Sequence, residues 1–167
     1  PKSCNIVTSC EGKGKTFIMF SDDLDKALAT FVLANGAAAT GQKVTIFFTF
    51  WGLNVIKKLH KPNVEKDIFG KMFGMMLPSS SRKLKLSKMS MGGIGGKMMR
   101  YIMNRKGIDS LESLRQQALE NGVEFIACQM SMDVMGVKQE ELLDEVTIGG
   151  VATYMERADN ANINLFI

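Results

Sequence analysis

Two apolar runs separated by one helix-length segment constrain this chain most. Lys15-Thr16-Phe17-Ile18-Met19-Phe20 has the length of a buried strand and ends on Ser21-Asp22-Asp23, residues suited to cap a helix and to favour its N-terminal dipole. Apolar positions then fall at Leu24, Ala27, Leu28, Phe31, Val32 and Ala38, a helical stripe in which only Asn35 is polar, and Gly41 is placed to end the helix. Val44-Thr45-Ile46-Phe47-Phe48 follows, apolar on both faces as a central parallel strand should be. Strand, helix and strand with short connections make a βαβ unit.

The pattern repeats downstream. A helical stretch after Phe50-Trp51-Gly52 is expected to run to about Leu59, before Pro62, with His60 as a surface residue near its end. Asp109 with Glu112 is compatible with a capping box, Leu111, Leu114 and Ala118 line one helix face, and Asn121-Gly122 ends it. Val123-Glu124-Phe125-Ile126-Ala127-Cys128-Gln129-Met130-Ser131 is a short apolar strand that delivers Cys128 to the point where the strand stops. A helical piece around Val137 to Leu143, a strand near Val146-Thr147-Ile148, a helix from Gly149-Gly150 through Tyr154 and Ala158, and a final strand from Ile163 to Ile167 complete the count. The prediction is a single three-layer α/β domain with a mostly parallel sheet of about five strands and helices on both faces. Residues 1–14 read as a tail or linker, 15–167 as the domain, and 66–106 as a basic, Met-rich and Gly-rich lid segment.

That segment holds ten Lys or Arg against Asp67 alone, a net charge of +9, which leaves the rest of the chain at −5. It also carries eight of the thirteen methionines. Three readings stand: a lid partly in the core and partly solvated, a surface for an anionic membrane or a partner's apolar face, and a Cu(I) site. The last needs closely spaced Met motifs with Cys or His, which Met75-Met76 and Met98-Met99 do not form. Gly92-Gly93-Ile94-Gly95-Gly96 lacks phosphate-loop order and does not follow a strand. With scattered cysteines, no CxxC pair and a single histidine, neither a disulfide framework nor a zinc site is expected, and no metal or cofactor is assigned. Nucleic acid is not an expected partner, because the cations are interleaved with methionine and glycine rather than stacking aromatics. No apolar run reaches the roughly 20 residues of a membrane span and no signal peptide is apparent, so the expected compartment is the cytoplasm, with peripheral membrane contact as an option. Opening at Pro1, the chain is expected to be a trimmed protein or a piece of a longer one.

Cys128 stands where ligands gather in open α/β sheets, outside the carboxyl end of a strand. Ser131-Met132-Asp133-Val134 reads as the start of a helical turn whose N–H groups would support a thiolate, with Ser131 at that helix N-terminus. The competing reading is a small buried hydrophobe. Cys128-Gln129-Met130-Ser131 has serine where a resolving cysteine would sit, so a self-contained dithiol cycle is not expected. Cys4 and Cys10 are auxiliary thiols only if the tail folds back. Asp22 and Asp23 face the same crevice and read as helix caps, and Gly149-Gly150 is a loose match to an anion-binding helix start.

The stretches Lys15 to Asp25 with the helix to Gly41, Val44 to Leu53 with Phe50-Trp51-Gly52, Lys71 to Met103, Glu124 to Met135 with Cys128, and Gly149-Gly150-Val151-Ala152-Thr153-Tyr154 resemble, in that order, the DsrE/DsrF/DsrH-like family, in the branch sometimes labelled peroxiredoxin-like. The resemblance implies an α/β domain that forms homo-oligomers and handles sulfane sulfur. The cysteine at the position of Cys128 would carry persulfide or thiosulfonate between donor and acceptor proteins. Similar domains occur fused behind rhodanese, small sulfur-carrier or disulfide reductase domains. The tail with Cys4 and Cys10 lies outside the shared pattern.

The function expected is therefore an intracellular sulfur relay on Cys128, as a sulfurtransferase or a stoichiometric carrier. The alternative is a non-catalytic membrane-surface or partner-binding module using the basic segment, and a flavodoxin-like flavin or nucleotide binder ranks last for want of a phosphate loop after the first strand.

Overall fold

The computed structural model describes residues 14–60, 62, 68–89 and 91–167. Cys4, Cys10 and the tail reading for residues 1–13 lie outside the described residues. Five strands, β1 (Gly14–Met19), β2 (Val44–Phe48), β3 (Glu124–Cys128), β4 (Thr147–Gly149) and β5 (Ala161–Phe166), form one sheet in the order β4-β3-β2-β1-β5. Every pairing is parallel. The α/β architecture predicted from the apolar runs is the one observed.

One face carries most of the core. On it α1 (Leu24–Ala39) and α4 (Leu111–Glu120) lie side by side, and α1 buries Leu24, Ala27, Phe31 and Ala34. Phe31, Phe48 and Phe125 meet there with ring centroids 5.4–6.4 Å apart, spacings at which aromatic pairs add to the burial of their area. Asn35, the one polar residue of the predicted stripe, donates to the Leu114 carbonyl at 2.9 Å and accepts from Asn121 at 3.2 Å, which joins the two helices. Val32 is exposed, because the buried stripe runs through Ala34 instead. The opposite face is covered by α6 (Val151–Asp159), where Tyr154 packs with Phe47, Ile126 and Cys128.

Four local expectations are corrected. The stretch after β2 is a 3-10 helix, Phe50–Ile56, ending before Lys57. All of Gly52 to Ile56 is buried, so the segment has no solvent face for an amphipathic α-helix to present. Between Val137 and Leu143 only the 3-10 turn Gln139–Glu141 forms. The preceding helix, α5 (Gln129–Met135), starts directly after Cys128 and is closed by Gly136 at φ 62°. The cap of α4 is Ser110, whose hydroxyl accepts from the Ser113 N–H at 3.2 Å. Glu112 instead accepts from Ser81 and Arg100 of the basic segment. At the start of α1, Asp23 occupies the cap position but makes no side-chain cap bond. Its carboxylate takes Ser21 Oγ and Lys26 Nζ, both at 2.8 Å.

The basic segment contains α2 (Ile68–Met76) and α3 (Ile94–Arg105) and is stitched to the domain at several points. Leu24 N–H donates to Lys85 O at 2.7 Å, Ser87 N–H donates to Asp25 at 3.0 Å, and Arg100 binds Ser81 O and Glu112. Leu77, Leu84 and Met103 are buried, whereas Met72, Met75, Met76 and Met98 are exposed. The described part of the segment is thus partly core and partly solvated.

Candidate functional site around Cys128

Cys128 is the last residue of β3 and the cap residue of α5. Strand alternation puts Phe125 and Ala127 on the α1/α4 face and turns Glu124, Ile126 and Cys128 towards α6. The thiol is free and 2% exposed, in an apolar cluster with Phe47, Ile126 and Tyr154, against which Ile18 and Ala158 pack. The Tyr154 ring is tilted against that of Phe47 with centroids 5.2 Å apart, and its hydroxyl lies 3.3 Å from Thr16 Oγ1. Thr16 in turn donates to Asn164 of β5.

Two helix starts converge beside this residue. One is α5, whose first residue follows Cys128 in the chain. The other is α6. Cys128 pairs with Gly149 across the sheet, and Gly150 is the α6 cap. A Cβ on Gly149 would stand 2.9 Å from Ile126 Cγ2 and 3.3 Å from Thr153, so the close approach of β4 and α6 to β3 requires glycine there. Gly150 offers no side-chain cap, which leaves first-turn N–H groups of α6 available to an anion.

Ser131 is the third residue of α5 and is fully buried. Its hydroxyl is engaged by Thr49 Oγ1 at 2.8 Å, so its side chain fixes α5 to the end of β2. Tyr154, Phe47 and Thr49 were not picked out by their sequence pattern, because each reaches the site from an element distant in the chain. The carboxylates of Asp22 and Asp23, at the end of β1, engage Asn54 and Lys26 respectively. His60 is exposed. Among the described residues, no group of three or more His, Cys, Asp or Glu is placed to hold a metal ion.

The sequence model of the DsrE/DsrF/DrsH-like family matches residues 12–166. The chain belongs to this family. It is 44% identical over 155 residues to the uncharacterized protein YrkE of Bacillus subtilis, covering 93% of this chain and 97% of that one. It is 38% identical over 161 residues to the sulfur carrier protein DsrE2 of Allochromatium vinosum, covering 94% and 99% respectively. The E. coli ychN crystal structure superposes with a TM-score of 0.55 at 11% identity, over 92% of this chain and 99% of that chain, a likeness of fold. Membership of this family and the relation to a sulfur carrier together suggest sulfur relay between proteins.

Proposed function

We propose that this protein carries sulfane sulfur on Cys128, and the single observation that carries the reading is the free thiol at the end of β3, enclosed by Phe47, Ile126 and Tyr154 beside the uncapped start of α6. After losing its proton to solvent, the Cys128 sulfur attacks the outer sulfur of a donor persulfide. A new S–S bond forms at Cys128, the donor's S–S bond breaks, and the donor leaves as a thiolate. An acceptor thiolate then attacks the outer sulfur and releases Cys128, so the cycle needs no external oxidant or reductant. An apolar enclosure keeps a persulfide from water and stray thiols, and the negative charge of a persulfide or thiosulfonate suits the α6 N-terminus. Ser131 positions the turn through Thr49. Entry of donor sulfur requires α6 or its leading loop to move aside, since Cys128 is buried. Free thiols persist in the reducing cytoplasm, the compartment this chemistry suits.

Intact-protein mass spectrometry after incubation with inorganic polysulfide tests the reading. A reducible gain of sulfur in the wild type, lost in Cys128→Ala, is expected. Equal gain in the variant overturns it and moves the chemistry to Cys4 or Cys10.

Self-association and a membrane-surface role rest on particular surfaces. Val151 and Met155 of α6 and Ile163, Leu165 and Phe166 of β5 are exposed, an apolar area that a second copy would cover, and sedimentation velocity reads the outcome. On α2, Ile68, Met72, Met75 and Met76 follow the i, i+4, i+7, i+8 spacing of one face and are all exposed. The exposed residues of α3 include Ile94, Met98, Tyr101 and Ile102. With the +9 charge of residues 66–106, these faces favour an anionic bilayer. Co-sedimentation with phosphatidylserine vesicles but not phosphatidylcholine vesicles, reduced in Met75→Glu/Met76→Glu, is the expected result. Equal sedimentation with both overturns it.

A further inference from the structure

A cavity of about 650 Å³ opens at the carboxyl ends of β1 and β2, in the size range of small-molecule sites, and Cys128 does not line it. Asp22 and Asp23 line it from the β1–α1 connection, Trp51 from the turn after β2, and Lys83 and Lys85 from the basic segment, with Met76 among its apolar contributors.

The turn that carries Trp51 is tightly built. Phe50 is held at φ 47°, a left-handed conformation costly for a side-chain-bearing residue, and Trp51 follows with its ring partly exposed. The turn lies so close to the end of β1 that a Cβ on Gly52 would stand 2.0 Å from Met19 O. Gly52 N–H is bound to Phe20 O at 2.8 Å. The lysine-bearing segment is fastened to the same corner through the Leu24 N–H bond to Lys85 O. Asp22 is not spent on capping α1. Its carboxylate accepts from Asn54 Nδ2 at 3.0 Å, and the Oδ1 of the fully buried Asn54 has no hydrogen-bond partner among the described residues. Burial pushes the Asp22 carboxyl above its ordinary value, against the lowering effects of Asn54 and Lys57.

Charge layout narrows the ligand. An anion would meet Asp22 and Asp23, a cation would meet Lys83 and Lys85, and an apolar molecule would strip water from all four without replacing it. We propose that this cavity binds a small dipolar molecule of the amino-acid or short-peptide class, with its ammonium at Asp22, its carboxylate at Lys83 and Lys85, and its apolar body against Trp51 and Met76. Asp23 is already paired with Lys26, which leaves Asp22 to receive the ammonium.

Trp51 is the single tryptophan of the chain, so its emission reports this cavity directly. The test titrates the protein with dileucine, dimethionine and leucylphenylalanine, each with free ends, N-acetylated, or C-amidated. A saturable emission change with the free-ended peptides is expected. N-acetylation or Asp22→Asn should weaken it about tenfold, and C-amidation or Lys83→Ala/Lys85→Ala should do the same. Circular dichroism confirms that each variant is folded. No saturable change at millimolar peptide overturns the proposal, as does equal binding of blocked peptides or binding unaltered in the folded variants.

Discussion

Thr49 and Ser131 share a hydroxyl–hydroxyl hydrogen bond of 2.8 Å that ties the residue after β2 to the helix that starts beside Cys128. Ser131 is fully buried and Thr49 half-buried, so Ser131→Ala removes the partner of the Thr49 hydroxyl from a site that water reaches only in part. A loss of about 1–2 kcal/mol in urea unfolding is expected. Native-state alkylation of Cys128 should quicken as α5 loosens, and mass spectrometry of the quenched reaction measures it.

Substitutions at Cys128 should separate chemistry from packing. Cys128→Ala removes one buried sulfur atom and is expected to cost about 1 kcal/mol. Cys128→Ser puts a hydroxyl into an apolar cluster and should cost about 1–3 kcal/mol. Both should abolish sulfur loading on this residue, so loading does not follow stability across the two.

Gly52 is required by contact rather than by backbone dihedral. Because a Cβ there would stand 2.0 Å from Met19 O, Gly52→Ala must displace either β1 or the Trp51 turn. A destabilisation of roughly 2–4 kcal/mol with altered Trp51 emission is expected, measured by fluorescence-monitored unfolding.

Glu124 is held below its ordinary value of 4.5, chiefly by its hydrogen bond from Arg157, whose Nε stands 2.9 Å away. A carboxylate with a lowered folded pKa contributes stability that is complete above its unfolded pKa and is lost as pH falls through the folded one. The melting temperature should therefore drop on acidification below about pH 4.5, and drop less in Arg157→Gln, in a thermal-melt series across that range.

Asp22 shifts the other way, because burial raises its folded pKa above the ordinary 3.8. Its contribution is fully present below pH 3.8 and is lost as pH rises through the raised value. Asp22→Asn removes that loss and supplies an N–H donor near the unpartnered Asn54 Oδ1. The variant should melt at or above the wild-type temperature at neutral pH and lose that advantage below pH 3.8, whatever it does to peptide binding.

Most strands were legible because burial on two faces leaves a plain mark. Val44 to Phe48 is apolar but for Thr45 and buried throughout, and Phe125 to Cys128 is apolar and buried throughout. The helices at Leu24 and Leu111 were legible from their stripes. The segments that misled are those whose local pattern lacks a solvent face or competes with a neighbour. Gly52 to Ile56 is buried throughout, and Ser110, not Asp109, won the α4 cap. Asp22 looked like a cap because polar residues before a helix usually are, yet its carboxylate turned to Asn54, thirty-two positions away in the chain.

The sequence by itself determined an α/β domain with a cysteine at a strand end and a basic, methionine-rich segment, because periodicity, strand length and charge are local properties of the chain. Only the tertiary structure decided that Cys128 faces α6 rather than α1, that Tyr154 and Phe47 enclose it, and that Trp51 meets Asp22 and Lys85 around one cavity. Strand alternation says that two faces exist. Which helix covers each face, and which distant side chains meet there, depends on strand order and crossover, and these are settled by packing of the whole sheet.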